Sequence, residues 1–240
     1  MIPFLRHKYG LPYHQLWFAR QWTWCAGWGF TVYRQYLGEK KPSFPFFREP
    51  FYTVLIDLVQ DDEVLLSGMN RSTKAQIRKA ETDGFQLTEM TDREQFRLFY
   101  NDFADEKGLP RLTASKWSQI QHDLMIFKVD LREQILVAHA YLLDQKEGRV
   151  RFLYGASARL AQDVDTNLVG RANRWAHFHE MQKFRADGFR VFDFGGYAKG
   201  SQDPQKMGIN QFKESFGGKI VAEDSYMALW PAVFHFLRKS

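Results

Sequence analysis

QILVAHAYLLDQKEGRVRFLYGAS, residues 134–157, joins two runs of β-branched and aromatic residues through four residues, QKEG, suited to a hairpin turn. FKVDLR (127–132) directly precedes it as a third run of the same kind. Three successive strands with no intervening helical crossover pair antiparallel. The sheet is therefore mixed α/β, largely antiparallel and flanked by helices, and a doubly wound parallel architecture is excluded.

Outward from this hairpin, a long helix is expected over 166–186, with Leu168, Ala172, Trp175 and His179 along one side and Gly188 closing it. A strand, VFDFGG (191–196), a polar loop, a short helix near 207–216 and a closing strand within KIVAEDSYMALW (219–230) follow. Upstream, FYTVLIDLV (51–59) reads as a strand and 63–83 as one helix. Leu66, Met69, Thr73, Ile77 and Ala80 give that helix an apolar stripe, while Arg71, Lys74 and Arg78 share another face and Gly84 stops it. FQLTEM (85–90) is a short strand. A helix over 92–106 presents Phe96, Phe99, Tyr100 and Phe103, and Thr113 caps another in TASKWSQIQ. EKKPSFPFFREP (39–50) reads as an irregular connection. The expected organisation is an aromatic-rich N-terminal extension, 1–50, packed on or beside a single domain, 51–240.

The 240 residues carry a net charge of +5 and 16% aromatics, with 22 Phe and 7 Trp. The charge fits an anionic partner as well as it fits none. One cysteine, Cys25, excludes an intrachain disulfide framework and a cysteine zinc site, and beside Trp24 it reads as a small apolar filler. Arg6, His7 and Lys8 are followed by no clean apolar run, so no signal peptide is expected. LWFARQWTWCAGWGFTVY (16–33) holds Arg20, Gln21 and two glycines and is a poor membrane span. Core packing is the favoured reading of its rings, with peripheral contact with a bilayer second.

Few constellations carry chemistry. His177 and His179 point about 200° apart on a helix and cannot share an ion, so no metal site is expected, and His179 reads as a hydrogen-bonded core histidine. NLVGRAN (167–173), with its single Gly170, is no phosphate-cradling loop, and no Gly-x-Ser-x-Gly elbow exists. Two glycine doublets remain. Asp193 interrupts an apolar strand that ends in Gly195 and Gly196, and Lys213 precedes Phe216, Gly217 and Gly218. Glycines there permit unusual backbone angles or close approach by a ligand. On residue types alone, two turns, a structural aspartate and a solvated lysine are the favoured account of them.

Three patterns in order resemble the Fem-type aminoacyltransferases and the related FemAB-like, GNAT-type acyltransferases of bacterial cell-envelope biosynthesis. They are the strand-then-helix block ending in Ile77–Ala80, the aromatic-Asp-Phe-Gly-Gly stretch Phe192–Gly196, and the pattern through Gly208, Ile209, Phe212, Lys213, Phe216, Gly217 and Gly218. The resemblance covers about 50–230 and implies a GNAT-like fold in which the strand of Asp193 parts from VRFLYGAS where the acyl donor lies. It implies an acyltransferase moving an aminoacyl group from aminoacyl-tRNA to an amine by direct aminolysis. Lys213 and Asp193 are the implied catalytic residues. Gly195, Gly196, Tyr197, Phe216, Gly217 and Gly218 would bind the donor; Arg71, Lys74 and Arg78 read as an anion-binding face for tRNA or a phosphorylated acceptor, or equally as a solvated helix face. No tightly bound cofactor is implied, the co-substrate being aminoacyl-tRNA or an acyl thioester. The implied acceptor is an envelope glycan, peptide or lipid-linked precursor, and the implied place cytoplasmic, up to the inner face of the membrane. Two alternatives stay open: an N-acyltransferase using acyl-CoA or acyl carrier protein on an amino sugar of a surface polysaccharide, and a non-catalytic binding module.

Overall fold

The computed structural model describes residues 1–8, 11–158 and 165–236. In chain order its strands and helices are β1 (Ile2–Lys8), β2 (Leu11–Trp17), β3 (Thr31–Arg34), β4 (Phe47–Glu49), β5 (Tyr52–Asp57), α1 (Asp62–Gly68), α2 (Arg71–Ala80), β6 (Gln86–Glu89), α3 (Arg93–Lys107) and α4 (Ala114–Ser118). They continue with β7 (Leu124–Leu131), β8 (Gln134–Asp144), β9 (Arg149–Ser157), α5 (Thr166–Ala186), β10 (Val191–Gly196), α6 (Pro204–Glu214), β11 (Lys219–Ala222), β12 (Ser225–Met227) and α7 (Leu229–Phe236). The chain divides into two compact units: Met1–Thr53 with Gly196–Gly200 and Ile220–Ser240, and Val54–Gly195 with Ser201–Lys219.

In the larger unit the strands run in the order β5–β10–β9–β8–β7–β6. The antiparallel pairing of β7, β8 and β9 follows the opening hairpin reading, and β10 joins β9 in parallel after the α5 crossover. Ala140 faces Tyr154 across the β8–β9 ladder while Tyr141 faces Phe152, so Leu153 is an extra residue, a β-bulge. Strict alternation would put Phe152 and Tyr154 on one face; the bulge turns them to opposite faces. Phe152 contacts His139, Tyr141 and His177 on the α5 side, whereas Tyr154 meets Tyr100 and Trp117 of α3 and α4.

Helix α5 packs on this sheet with α2 against it. Val169, Ala172, Trp175 and Ala176 join Ala80, Phe85, Val129, Leu136 and Val137 in one buried cluster. Each large apolar side chain so buried contributes about 1.5–3 kcal/mol. The single helix expected over 63–83 is two. The backbone leaves helical geometry at Met69 and Asn70, and the Asn70 side chain accepts from Thr73 N at 2.7 Å to start α2. A side-chain acceptor at that position offers the next turn a cap, which the apolar stripe alone conceals. Buried Leu65, rather than Leu66, heads the stripe; Met69, Thr73, Ile77 and Ala80 complete it. In α3, Phe96, Tyr100, Asn101 and Ala104 are buried and Phe99 and Phe103 only half so.

The smaller unit contains a five-stranded sheet, β1–β2–β3–β12–β4. Strands therefore run through the segment read as an extension, and β4 lies within the stretch read as irregular. The closing segment 219–230 holds two strands and the start of α7. Part of the aromatic segment is core: Trp17, Phe18 and Tyr33 are buried. The core reading fails for Trp24 and Trp28, which are exposed on a 3-10 turn over Cys25–Trp28, and for Cys25 itself.

Candidate active site

The ladder between β9 and β10 comprises three pairs, Val191↔Arg149, Phe192↔Val150 and Asp193↔Arg151. Beyond it β9 runs on to Ser157 against β8, and the bulge at Leu153 falls two residues past the last pair. The strands part immediately after Asp193, as the resemblance implies.

Asp193 is fully buried, and its charge is matched. Arg149 donates to Oδ2 through Nη2 at 2.6 Å and Nε at 3.2 Å, Arg151 Nη1 reaches Oδ1 at 3.3 Å, and Gly195 N–H donates to Oδ1 at 2.7 Å. Gly195 has φ +75°, and a Cβ there would stand 3.0 Å from Phe152 O and 3.1 Å from Arg151 Nη1. The first glycine of the doublet is required by this arginine–aspartate lock. Gly196 and Tyr197 belong to the smaller unit, where Tyr197 N–H donates to Tyr52 O at 2.8 Å.

Lys213 is buried in the last turn of α6, a helix started by Pro204 and by Asp203 accepting from Gln205 N. Burial, then the positive charge of Arg151, push its ammonium down to about 8, with Asp193 opposing. Lys213, Arg151 and Asp193 thus form one electrostatic group, which the sequence order only hinted at. Phe216 is buried against Phe194, ring centroids 5.0 Å apart. Gly217 has φ +79°, and a Cβ would fall 2.3 Å from Gly68 O; at Gly218 it would fall 2.5 Å from Val54 Cγ1. Packing against α1 and β5 accounts for the second doublet. Asn70 N–H donates to Ser215 O at 2.9 Å and Thr73 Oγ1 to Ser215 Oγ at 2.9 Å, tying the first turn of α2 to the end of α6. Arg71 and Arg78 are exposed along α2 and Lys74 is half-buried, its Nζ donating to Ser67 O at 3.3 Å.

A second polar group lies beside this one. His139 and Tyr141 project from β8 and His177 and Glu180 from α5, and all four are buried. His139 Nδ1 lies 2.9 and 3.0 Å from the Glu180 oxygens, and the Tyr141 hydroxyl donates to Glu180 Oε2 in a very short contact. His177 Nδ1 stands 3.2 Å from the Tyr141 oxygen and 3.4 Å from Glu180 Oε2. With the Tyr141 O–H directed at the Glu180 carboxylate, Nδ1–H of His139 donates to Glu180 and Nδ1–H of His177 to the Tyr141 oxygen. Burial would raise the Glu180 carboxyl, but His139 and His177 hold it at about 2; burial and His139 push His177 down to about 4, with Lys213 a further repulsion. Ligand atoms of His139, His177 and Glu180 lie within 4.8 Å of one another. The two imidazoles are nevertheless stacked at 4.2 Å and 14°, so an ion equidistant from both would sit out of both ring planes. The geometry is that of a hydrogen-bonded core network.

His179, expected in the core, instead packs its ring on Trp175, centroids 4.2 Å apart and tilted by 46°, and meets Glu81 at 3.0 Å; His177 is the core histidine. Gly170 lies inside α5, as the helix expected over 166–186 requires. Arg149, Arg151, His139, Tyr141 and Glu180 went unread. Their signal was present: charged or polar residues two apart in apolar strands, and His177 and Glu180 three apart on one helix face.

No family model matches the chain, and no curated protein matches it. Solved structures do. FemX superposes with a TM-score of 0.62 at 15% identity over 77% of this chain and 63% of its own. The C-terminal domain of a putative lysylphosphatidylglycerol synthetase from Agrobacterium fabrum gives 0.54 at 10% over 87% and 70%. L-PGS from Bacillus licheniformis gives 0.54 at 11% over 81% and 65%. The chain thus spans less than two thirds of FemX and of the Bacillus protein. The likeness is one of fold: this chain has the mixed, largely antiparallel α/β architecture of FemX and of the lysylphosphatidylglycerol synthetase domains.

Proposed function

We propose that the protein is an acyltransferase that moves an aminoacyl group from aminoacyl-tRNA to an amine of a cell-envelope molecule. The observation that carries this reading is Lys213, buried beside Arg151 and Asp193 where β9 and β10 part. The fold shared with FemX and with proteins named for lysylphosphatidylglycerol synthesis supports an aminoacyl cargo and an envelope acceptor. The acceptor nitrogen attacks the ester carbonyl, a C–N bond forms and the carbonyl oxygen becomes an oxyanion. Collapse breaks the C–O bond to the tRNA ribose, whose oxygen takes up the proton lost by the amine. The Lys213 ammonium stabilises the oxyanion from a site largely free of water, where a preorganised charge acts most strongly. Asp193 holds Arg151 and with it the electrostatic setting of Lys213. Arg71, Lys74 and Arg78 provide a cationic face for the tRNA phosphates.

The test is transfer of label from a panel of charged tRNAs, in parallel with acyl-CoAs, to an envelope extract. Label leaving one charged tRNA supports the reading; turnover with a thioester and no tRNA transfers the chemistry to the second donor class. Lys213→Ala should lower turnover by about 10²–10³-fold, as losing one oxyanion donor does elsewhere. Unchanged turnover in folded protein removes Lys213 from the mechanism.

A further inference from the structure

The smaller unit carries an exposed aromatic surface that the transfer chemistry does not use. Trp24, Trp28 and Phe44 are 56, 43 and 65% exposed, and their rings pack edge to face in a row, Trp24 on Trp28 and Trp28 on Phe44, each at 5.6 Å. Three large rings in mutual contact and open to solvent form a continuous patch rather than scattered exposure. The row is built on a firm base. A Cβ on Gly27 would stand 2.7 Å from Pro45 Cγ, so the turn carrying Trp24 and Trp28 lies directly on the segment carrying Phe44. Trp22 Nε1 donates to Lys40 O at 3.0 Å, and the buried Tyr36 hydroxyl bonds the carbonyls of both Arg20 and Lys40. Helix α7 packs on the same turn and adds Trp230, stacked on Phe30.

Charge distinguishes this patch from a surface for an ordinary protein partner. The bonds of Tyr36 and Trp22 hold the backbone of Arg20 and Lys40 together, Lys41 Nζ stands 5.7 Å from the Tyr36 ring centroid, all three cations are exposed, and Glu39 is the sole carboxylate between residues 18 and 46. Tryptophan rings settle at the headgroup level of a bilayer, and basic residues beside them are drawn to anionic headgroups. Among the described residues no helix is long and apolar enough to cross a membrane. We propose that the Trp24–Trp28–Phe44 row with Arg20, Lys40 and Lys41 is a docking surface for an anionic lipid bilayer. It inserts to headgroup depth and holds the protein peripherally.

The experiment is co-sedimentation of the full chain with vesicles of phosphatidylcholine alone and with phosphatidylglycerol added, at low and high salt, with tryptophan quenching by brominated lipid. The expected result is binding to the phosphatidylglycerol vesicles only, weakened by salt, with quenching. Lys40→Glu/Lys41→Glu should weaken it by at least about fivefold per removed cation. Trp24→Ser/Trp28→Ser/Phe44→Ser, with unchanged circular dichroism, should abolish it. Absent binding, equal binding to uncharged vesicles, or binding that survives the aromatic triple variant would overturn the proposal. So would a concentration-dependent dimer that this variant dissolves without any vesicle binding, which would assign the surface to a second copy. None of these outcomes bears on the tRNA panel, so the two readings fail separately.

Discussion

At the scale of single residues, the oddities of the sequence resolve into matched charges. Asp193 in the middle of a core strand is tolerable because two guanidinium groups and a backbone N–H surround it. Lys213 is different: its ammonium is buried beside a like charge and only partly offset by Asp193. Its native pKa, about 8, lies below the ordinary 10.5. Below pH 8 the lysine is protonated in both native and unfolded states, and the native state bears the full cost of the buried charge. Between 8 and 10.5 the unfolded chain holds a proton the native state has released, so stability rises with pH through that window. Lys213→Met should therefore stabilise the protein at pH 7 by about 2–3 kcal/mol while removing activity, the gain fading by pH 10.5. Thermal unfolding of both proteins at the two pH values checks it; a destabilised variant at pH 7 would mean that lysine's contacts outweigh its desolvation.

Among elements, the decisive packing is between the end of α6 and the α1–α2 break. Ser215 receives Asn70 and Thr73, and Gly217 sits with φ +79° against the last carbonyl of α1. A methyl group at Gly217 meets backbone, which cannot rotate away. Gly217→Ala should cost about 1–3 kcal/mol from strain and overpacking together, and should loosen the turn that carries Lys213. Denaturant unfolding gives the first quantity and turnover the second; a variant of unchanged stability would show that α1 yields. Periodicity alone conceals this break. The stripe through Met69, Thr73 and Ile77 continues across the break, because apolar spacing survives where a cap interrupts the backbone.

For the whole molecule, acid should be the sensitive direction. His177 falls from 6.5 to about 4 and Glu180 from 4.5 to about 2. As pH drops from 6.5 toward 4, the unfolded chain binds a proton at His177 that the native state refuses. Below 4.5 the unfolded Glu180 does the same until about 2. Both contributions are present at neutral pH and lost on acidification. Melting temperature should fall steadily between pH 6.5 and 4 and further below it. Glu180→Gln, which leaves His139 and Tyr141 without their carboxylate, should destabilise by about 3 kcal/mol or more at pH 7. A flat profile from pH 7 to 4 would show that the network does not couple folding to protons.

The amino-acid sequence by itself determined the antiparallel core, the α5 crossover and β10, because period-2 runs, turn residues and a long amphipathic stripe are local and strong. It also marked Asp193, Lys213 and the glycine doublets as unusual. Only the tertiary structure decided what these residues do. Arg149 and Arg151 neutralise Asp193 across a strand pair, and the β9 bulge at Leu153 resets the facing of Phe152 and Tyr154. Helix α5 brings His177 and Glu180 to His139, some forty positions away. Strands β3 and β4 stayed hidden because the strand that pairs with both, β12, lies near the other end of the chain. Burial and charge pairing are properties of neighbours in space, and no window of sequence contains both partners.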